Sequence, residues 1–157
     1  MSLTLQDVQD AAQRIKSATI NTRFEKSITL SGIAGTELFL KFENFQFTAS
    51  FKDRGALNKL LLLQEQGTTQ GVIAMSAGNH AKAVAYHAQR LSIPATIVMP
   101  KNTPNVKVED TKSLGARVVL FGKTLDESGI HAREIAAAEN LVFVHPYNDL
   151  DIMAGQG

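Results

Sequence analysis

The chain has 157 residues, enough to bury a substantial core in one domain. Its 16 Lys and Arg residues nearly balance 15 Asp and Glu, for a formal net charge of +1. Neither nucleic acid nor an anionic membrane surface is therefore an expected partner. Cysteine is absent, which excludes disulfides, thiolate nucleophiles and Cys-ligated metals.

The opening residues, MSLTLQDVQD, are too polar for a secretory signal. No apolar run approaches the roughly 20 residues of a membrane span. A soluble, cytoplasmic protein is the expectation. Residues 5–17 place Val8, Ala12 and Ile15 at helical spacing, which predicts an amphipathic helix. Ile28 to Leu30 reads as a short strand before a Ser31-Gly32 turn, and Leu38 to Phe42 as another strand. Residues 53–66, DRGALNKLLLLQEQ, predict a helix stopped by Gly67.

From there strands and helices alternate. Continuous apolar strands are expected at 71–76 (GVIAMS), 95–100 (ATIVMP), 117–122 (RVVLFG) and 141–146 (LVFVHP). Helices are expected between them, from about Asn79 to Leu91, from Asn105 to Leu114, and from Thr124 to about Asn140. Thr124 followed by Glu127 is a capping-box signature. Apolar strands without period-two alternation predict an α/β fold, a parallel sheet with helices on both faces.

Two loops carry candidate chemistry. Ser76-Ala77-Gly78-Asn79-His80 lies beyond the carboxyl end of a strand, where open α/β sheets bind ligands. Its polar side chains and the free N–H groups of the next helix suit a carboxylate or phosphate. The plainer reading is that Gly78 turns the chain and Asn79 caps the helix. In Thr48-Ala-Ser-Phe-Lys-Asp-Arg-Gly55, Lys52 stands where a loop enters a helix. The macrodipole there favours a neutral amine, the form a Schiff-base lysine needs. The plainer reading is a solvated surface lysine. His87 and His131 fall in helices and read as solvated or packed, and His145 as structural. No His pair has metal-ligand spacing, so no metal is expected, and neither G-x-G-x-x-G, Walker A nor G-x-S-x-G occurs.

Lys41-Phe-Glu-Asn44 leading into Phe47-Thr-Ala-Ser-Phe-Lys-Asp-Arg-Gly-Ala-Leu-Asn-Lys59 resembles the lysine segment of fold-type II pyridoxal-phosphate enzymes. FTASFK with RGALNKL is most similar to bacterial threonine ammonia-lyases (threonine dehydratases). SAGNHA at 76–81 is similar to that family's asparagine loop, and VMPKNTP (98–104), KVED (107–110) and LGARVVLFG (114–122) to its small domain. VHPYNDLDIMAGQG (144–157) resembles the return to the large domain.

The resemblance implies pyridoxal 5'-phosphate as cofactor and α,β-elimination of threonine, or of serine, to a 2-oxo acid and ammonia. Lys52 would bind the cofactor covalently and later move the Cα proton. Phe51 would pack against its ring, and Asn79 would hydrogen-bond its 3-hydroxyl oxygen. Ser76, Ala77, Gly78, Asn79 and His80 would form the substrate site, with Ser76, Ala77, Gly78 and His80 cradling the carboxylate. It also implies a homo-oligomer in the full-length enzyme.

The implied division is 1–69 as an incomplete N-terminal part of the large domain, 70–148 as a small four-stranded domain, and 149–157 as the start of the return. Ala49 stands where many relatives have Gly, and Lys82-Ala83 where Gln-Gly is common. The chain has 11 Gly but no adjacent pair, so the family's glycine-rich phosphate loop is missing, and the expectation is a fragment. In such a fragment the apolar surface on Leu38, Leu40 and Leu60 to Leu63 is expected to be exposed or rearranged. Serine racemase or serine dehydratase is the nearest alternative, with threonine synthase further off. A non-catalytic folding or interaction module is an alternative of another class.

Overall fold

The computed structural model describes residues 2–67 and 70–157. The boundary expected at residue 69 lies outside the described residues. Helix α1 (Leu5–Ile15) starts at Thr4, whose side chain accepts from the Asp7 N–H while Asp7 reaches back to the Thr4 N–H. That reciprocal box satisfies two of the free donors at a helix start. Its buried face runs through Ala11 and Ile15, and Ala12 is exposed. The expected face is thus rotated by one residue.

The segment 28–30 is not a strand. It opens helix α2 (Ile28–Ala34), because Ser27 caps Leu30 and Gly35 ends the helix in the left-handed conformation at φ 66°. The caps at both ends outweigh the β-branched residues between them. Strands β1 (Phe24–Lys26) and β2 (Phe39–Lys41) pair antiparallel beside it. Helix α3 (Lys52–Glu65) follows the lysine loop.

Four parallel strands form the central sheet in the order β5-β4-β3-β6. They are β3 (Val72–Met75), β4 (Ala95–Met99), β5 (Arg117–Leu120) and β6 (Val142–Phe143). The last is shorter than expected and leaves His145 and Pro146 outside the ladder. Alternate residues serve opposite faces. Val72, Ala74, Ile97 and Met99 join one core cluster with Val84 and Ala88 of α4 (Asn79–Arg90) and Val108 of α5 (Asn105–Ser113). Ile73 and Val98 face the other way, onto Ala132 of α6 (Leu125–Glu139). Both faces are therefore apolar, which is why the strands read as continuous hydrophobic runs.

The first cluster also takes in Leu60 and Leu63 of α3 and Ile152 of α7 (Leu150–Gln156). Leu60 and Leu63 are buried, and Leu38, Leu40, Leu61 and Leu62 are half-buried. The expected exposure of Leu60 to Leu63 is not found, because α4 covers one side of α3 and α7 another. Two glycines allow the second contact. A Cβ on Gly155 would come within 2.8 Å of Arg54 O and of Gly55 Cα, so the helices cross closer than side chains permit.

Candidate active site

Strand β3 has β4 on one side and β6 on the other. The chain leaves β3 toward β4 and returns to β6 only after α6, so the connections part beyond its carboxyl end. That divergence opens a crevice of the kind where α/β proteins bind ligands. The structure brings both candidate loops to it.

Lys52 is the first residue of α3, and its Nζ donates to the Pro146 carbonyl at 2.6 Å, just past β6. The Phe51 ring lies 5.0 Å from the same nitrogen. Partial burial lowers the Lys52 pKa from the usual lysine value. Ser76, Ala77 and Gly78 are half-buried at the end of β3, and Asn79 opens α4 with its side chain exposed. A Cβ on Gly78 would meet nothing within 4 Å, so the loop borders open space.

His80 is buried at 3% exposure, and its Nε2 lies 3.1 Å from the Val144 carbonyl. A carbonyl only accepts, so the ring proton sits on Nε2. Burial lowers the His80 pKa to about 4, with the Lys52 and His145 charges adding to the effect and the Val144 carbonyl opposing it. The ring is neutral near pH 7, and among the described residues its Nδ1 is a buried acceptor without a partner. Such a ring cannot donate to a carboxylate. Any contribution of His80 to an anion pocket comes from its backbone N–H in the first turn of α4.

The lysine loop is fastened from beneath. Asp53 accepts from the Thr48 N–H on Oδ2 at 2.9 Å, and from the Thr48 hydroxyl on Oδ1 at 2.9 Å. Ala49, between them, has φ 60°. A side chain is disfavoured in this left-handed region by roughly 1 kcal/mol, which explains why glycine suits the position. On the outer side Arg54 makes a two-bonded pair with Glu43, Nε to Oε2 at 2.7 Å and Nη2 to Oε1 at 2.8 Å. Burial alone would raise the Glu43 pKa, but Arg54, Thr22 and Gln46 outweigh it and lower the value.

Asp53 and His87 had no signal in the sequence. They are fully buried and meet at 3.0 Å, so His87 is packed, not solvated. Lys82 pairs with Asp110 at 2.6 Å. His131 stacks on Phe121, and His145 accepts from the Tyr147 and Asn148 N–H groups through Nδ1. Among the described residues no cluster of three or more His, Asp or Glu is placed to hold a metal, and no helix is long and apolar enough to cross a membrane.

The residues suit the ring end of a pyridoxal group. They offer a half-buried amine, an adjacent aromatic ring, open space over Gly78 and an unpartnered buried acceptor. No two glycines are adjacent to cup its phosphate.

Comparison with known proteins agrees with this chemistry. Residues 15–157 match the family described as pyridoxal-phosphate dependent enzyme. An L-threonine ammonia-lyase of Thermotoga maritima is 46% identical over 99% of this chain and 39% of its own length. The processed form of threonine deaminase isoform 2 from Solanum lycopersicum superposes with a TM-score of 0.86 at 38% identity, covering 96% of this chain and 42% of that one. A serine racemase from Dictyostelium discoideum gives a TM-score of 0.88 at 32% identity, over 98% of this chain and 50% of its own. The chain thus spans half or less of the length of each of these relatives.

Proposed function

Because the chain belongs to the family of pyridoxal-phosphate-dependent enzymes, we propose that it carries the lysine and substrate loops of an L-threonine ammonia-lyase. The reaction is α,β-elimination of threonine to 2-oxobutanoate and ammonia, with serine, giving pyruvate, as a second substrate. The observation that carries the reading is the convergence of Lys52 and the 76–80 loop on one crevice at the end of β3.

When bound, the cofactor supplies an electron sink for the pair left at Cα. Lys52 would hold it covalently and, once displaced by the substrate amine, would take the Cα proton as the β-hydroxyl leaves. Burial favours the neutral amine that both roles need. Phe51 flanks the ring and Asn79 holds its 3-hydroxyl oxygen. Ser76 and the N–H groups of Ala77, Gly78 and His80 receive the substrate carboxylate, aided by the amino-terminal dipole of α4. The division into 1–69, 70–148 and 149–157 belongs to the same reading, as do a cytoplasmic location and a homo-oligomeric full-length enzyme.

The threonine reading is preferred to serine racemase because the threonine enzymes are the more similar in sequence, at 46% and 38% against 32%. The test is an absorbance titration with pyridoxal phosphate beside Lys52→Ala. A saturable band, lost in the variant and shifted by threonine, supports the assignment. An equal band in the variant, or none in either protein, removes Lys52 from its role in this chain.

A further inference from the structure

Beneath the lysine loop lie two ionisable side chains that the proposed chemistry does not use. Asp53 and His87 are both 0% exposed, and Nε2 of His87 lies 3.0 Å from Oδ1 of Asp53. Arg90 approaches the other ring nitrogen at 3.4 Å. Arginine only donates, so Nδ1 accepts and the ring proton on Nε2 points at the carboxylate. With the two bonds from Thr48, the buried carboxylate then has three donors. Removing a donor from a buried carboxylate leaves it short of solvation, so the arrangement resists opening.

The placement of these bonds matters more than their number. Asp53 follows Lys52 directly and sits in the first turn of α3. His87 lies two turns beyond His80 on α4, on the same face of that helix. One side chain pair thus fixes how far the start of α3 sits along α4. The start of α3 carries Lys52, and the start of α4 carries the 76–80 loop. The Thr48 bonds hold the approach to Lys52 against the disfavoured backbone at Ala49. Arg90 extends the link outward, over the Phe47 and Tyr86 rings at 5.7 and 5.5 Å and to the Ala18 carbonyl.

We propose that Asp53, with its donors His87 and Thr48, is a positioning element of the active site, holding the Lys52 loop in register with the 76–80 loop so that the amine stays in the crevice. The proposal rests on Lys52 being the cofactor lysine. A cluster that served only stability would leave the Lys52 environment unchanged in any variant that still folds.

Lys52 reports its own environment. The 157-residue chain is acylated with a limiting amine reagent across a pH series, and labelling is read by mass spectrometry at Lys52 and at the exposed Lys123. His87→Phe fills the space without a donor, and His87→Gln restores one. Thr48→Val removes a single hydroxyl and is the milder variant if His87→Phe does not fold. All three leave the neighbouring ionisable groups Asp53 and His80 in place.

In the parent protein and His87→Gln, the Lys52 midpoint should lie below the ordinary lysine value. In His87→Phe and Thr48→Val it should rise toward the ordinary lysine value as the amine gains water. An unmoved midpoint in a folded His87→Phe, or in Thr48→Val where His87→Phe is unfolded, overturns the proposal. Pyridoxal phosphate added to the parent protein separates the two readings. Selective protection of Lys52 without a midpoint shift in the variants keeps the cofactor reading and defeats the positioning role. A shift without protection keeps the positioning role and removes the cofactor reading.

Discussion

Lys52 Nζ and the Pro146 carbonyl meet at 2.6 Å across 94 residues of sequence, tying the first residue of α3 to the chain just past β6. The bond parks the amine at the mouth of the crevice, and covalent capture of an aldehyde must break it. Lys52→Arg separates these two functions. Arginine keeps a donor and a charge at this point but supplies no nucleophilic amine. Unfolding free energy should stay within about 1 kcal/mol of the parent value, while the pyridoxal-phosphate band disappears. A band of parental strength in Lys52→Arg would place the reactive amine elsewhere.

His80 gives a pH dependence with a defined sign. Its folded-state pKa is lowered to about 4 from an ordinary value of 6.5, chiefly by burial. Well above pH 6.5 the ring is neutral in both states and contributes no difference. As pH falls from 6.5 toward 4, the unfolded chain binds a proton that the folded chain refuses, so stability declines through that window. The loss amounts to about 3 kcal/mol at the lower end. Urea unfolding of the parent and of His80→Gln across this range checks it. The difference between the two proteins should change with pH in that window and be flat above it.

The sheet was legible because both of its faces are buried. Val72 through Met75 and Ala95 through Met99 read as uninterrupted apolar runs, each closed by turn chemistry, and helices separate them. The 76–80 loop was legible by its position at a strand end, whereas Lys52 stood out chiefly through resemblance. Helix α2 was missed because Ile28-Thr-Leu30 has strand propensity. Ser27 and Gly35, eight residues apart, were the cap signals that identify the helix. Asp53 and His87 were not legible at all, since 34 residues separate them and only the packing of α3 on α4 joins them. The role of Ala49 was half legible. The departure from glycine was visible, but the φ of 60° that gives it meaning was not.

Arg54 and Glu43 frame the loop on its outer side through two parallel bonds at 2.7 and 2.8 Å. Lysine cannot reproduce the planar fork. Arg54→Lys should therefore lose about 1–2 kcal/mol, more than an exposed ion pair contributes, because both side chains are largely covered. Chemical denaturation gives the value. Part of the loss should persist at high salt, since the second bond is lost whatever the screening. Full suppression by salt would mean that the pair acts only as two surface charges.

Two glycine substitutions should act in opposite directions, for reasons the packing makes plain. A Cβ on Gly155 would lie 2.8 Å from the Arg54 carbonyl oxygen, Asn58 Cβ and Gly55 Cα. Two of those three atoms are backbone and cannot swing away, so Gly155→Ala should push α7 off α3 and destabilise by about 1–3 kcal/mol. Gly32 sits inside α2 with nothing within 4 Å of its would-be Cβ. Gly32→Ala should gain about 0.5–1 kcal/mol, because alanine loses less backbone freedom on entering a helix. Because α3 begins with Lys52, displacing α7 should also carry the amine away from Pro146. Gly155→Ala should therefore weaken pyridoxal-phosphate binding, and Gly32→Ala should leave it unchanged. Equal effects of the two substitutions on binding would show that the α3–α7 contact does not reach the site.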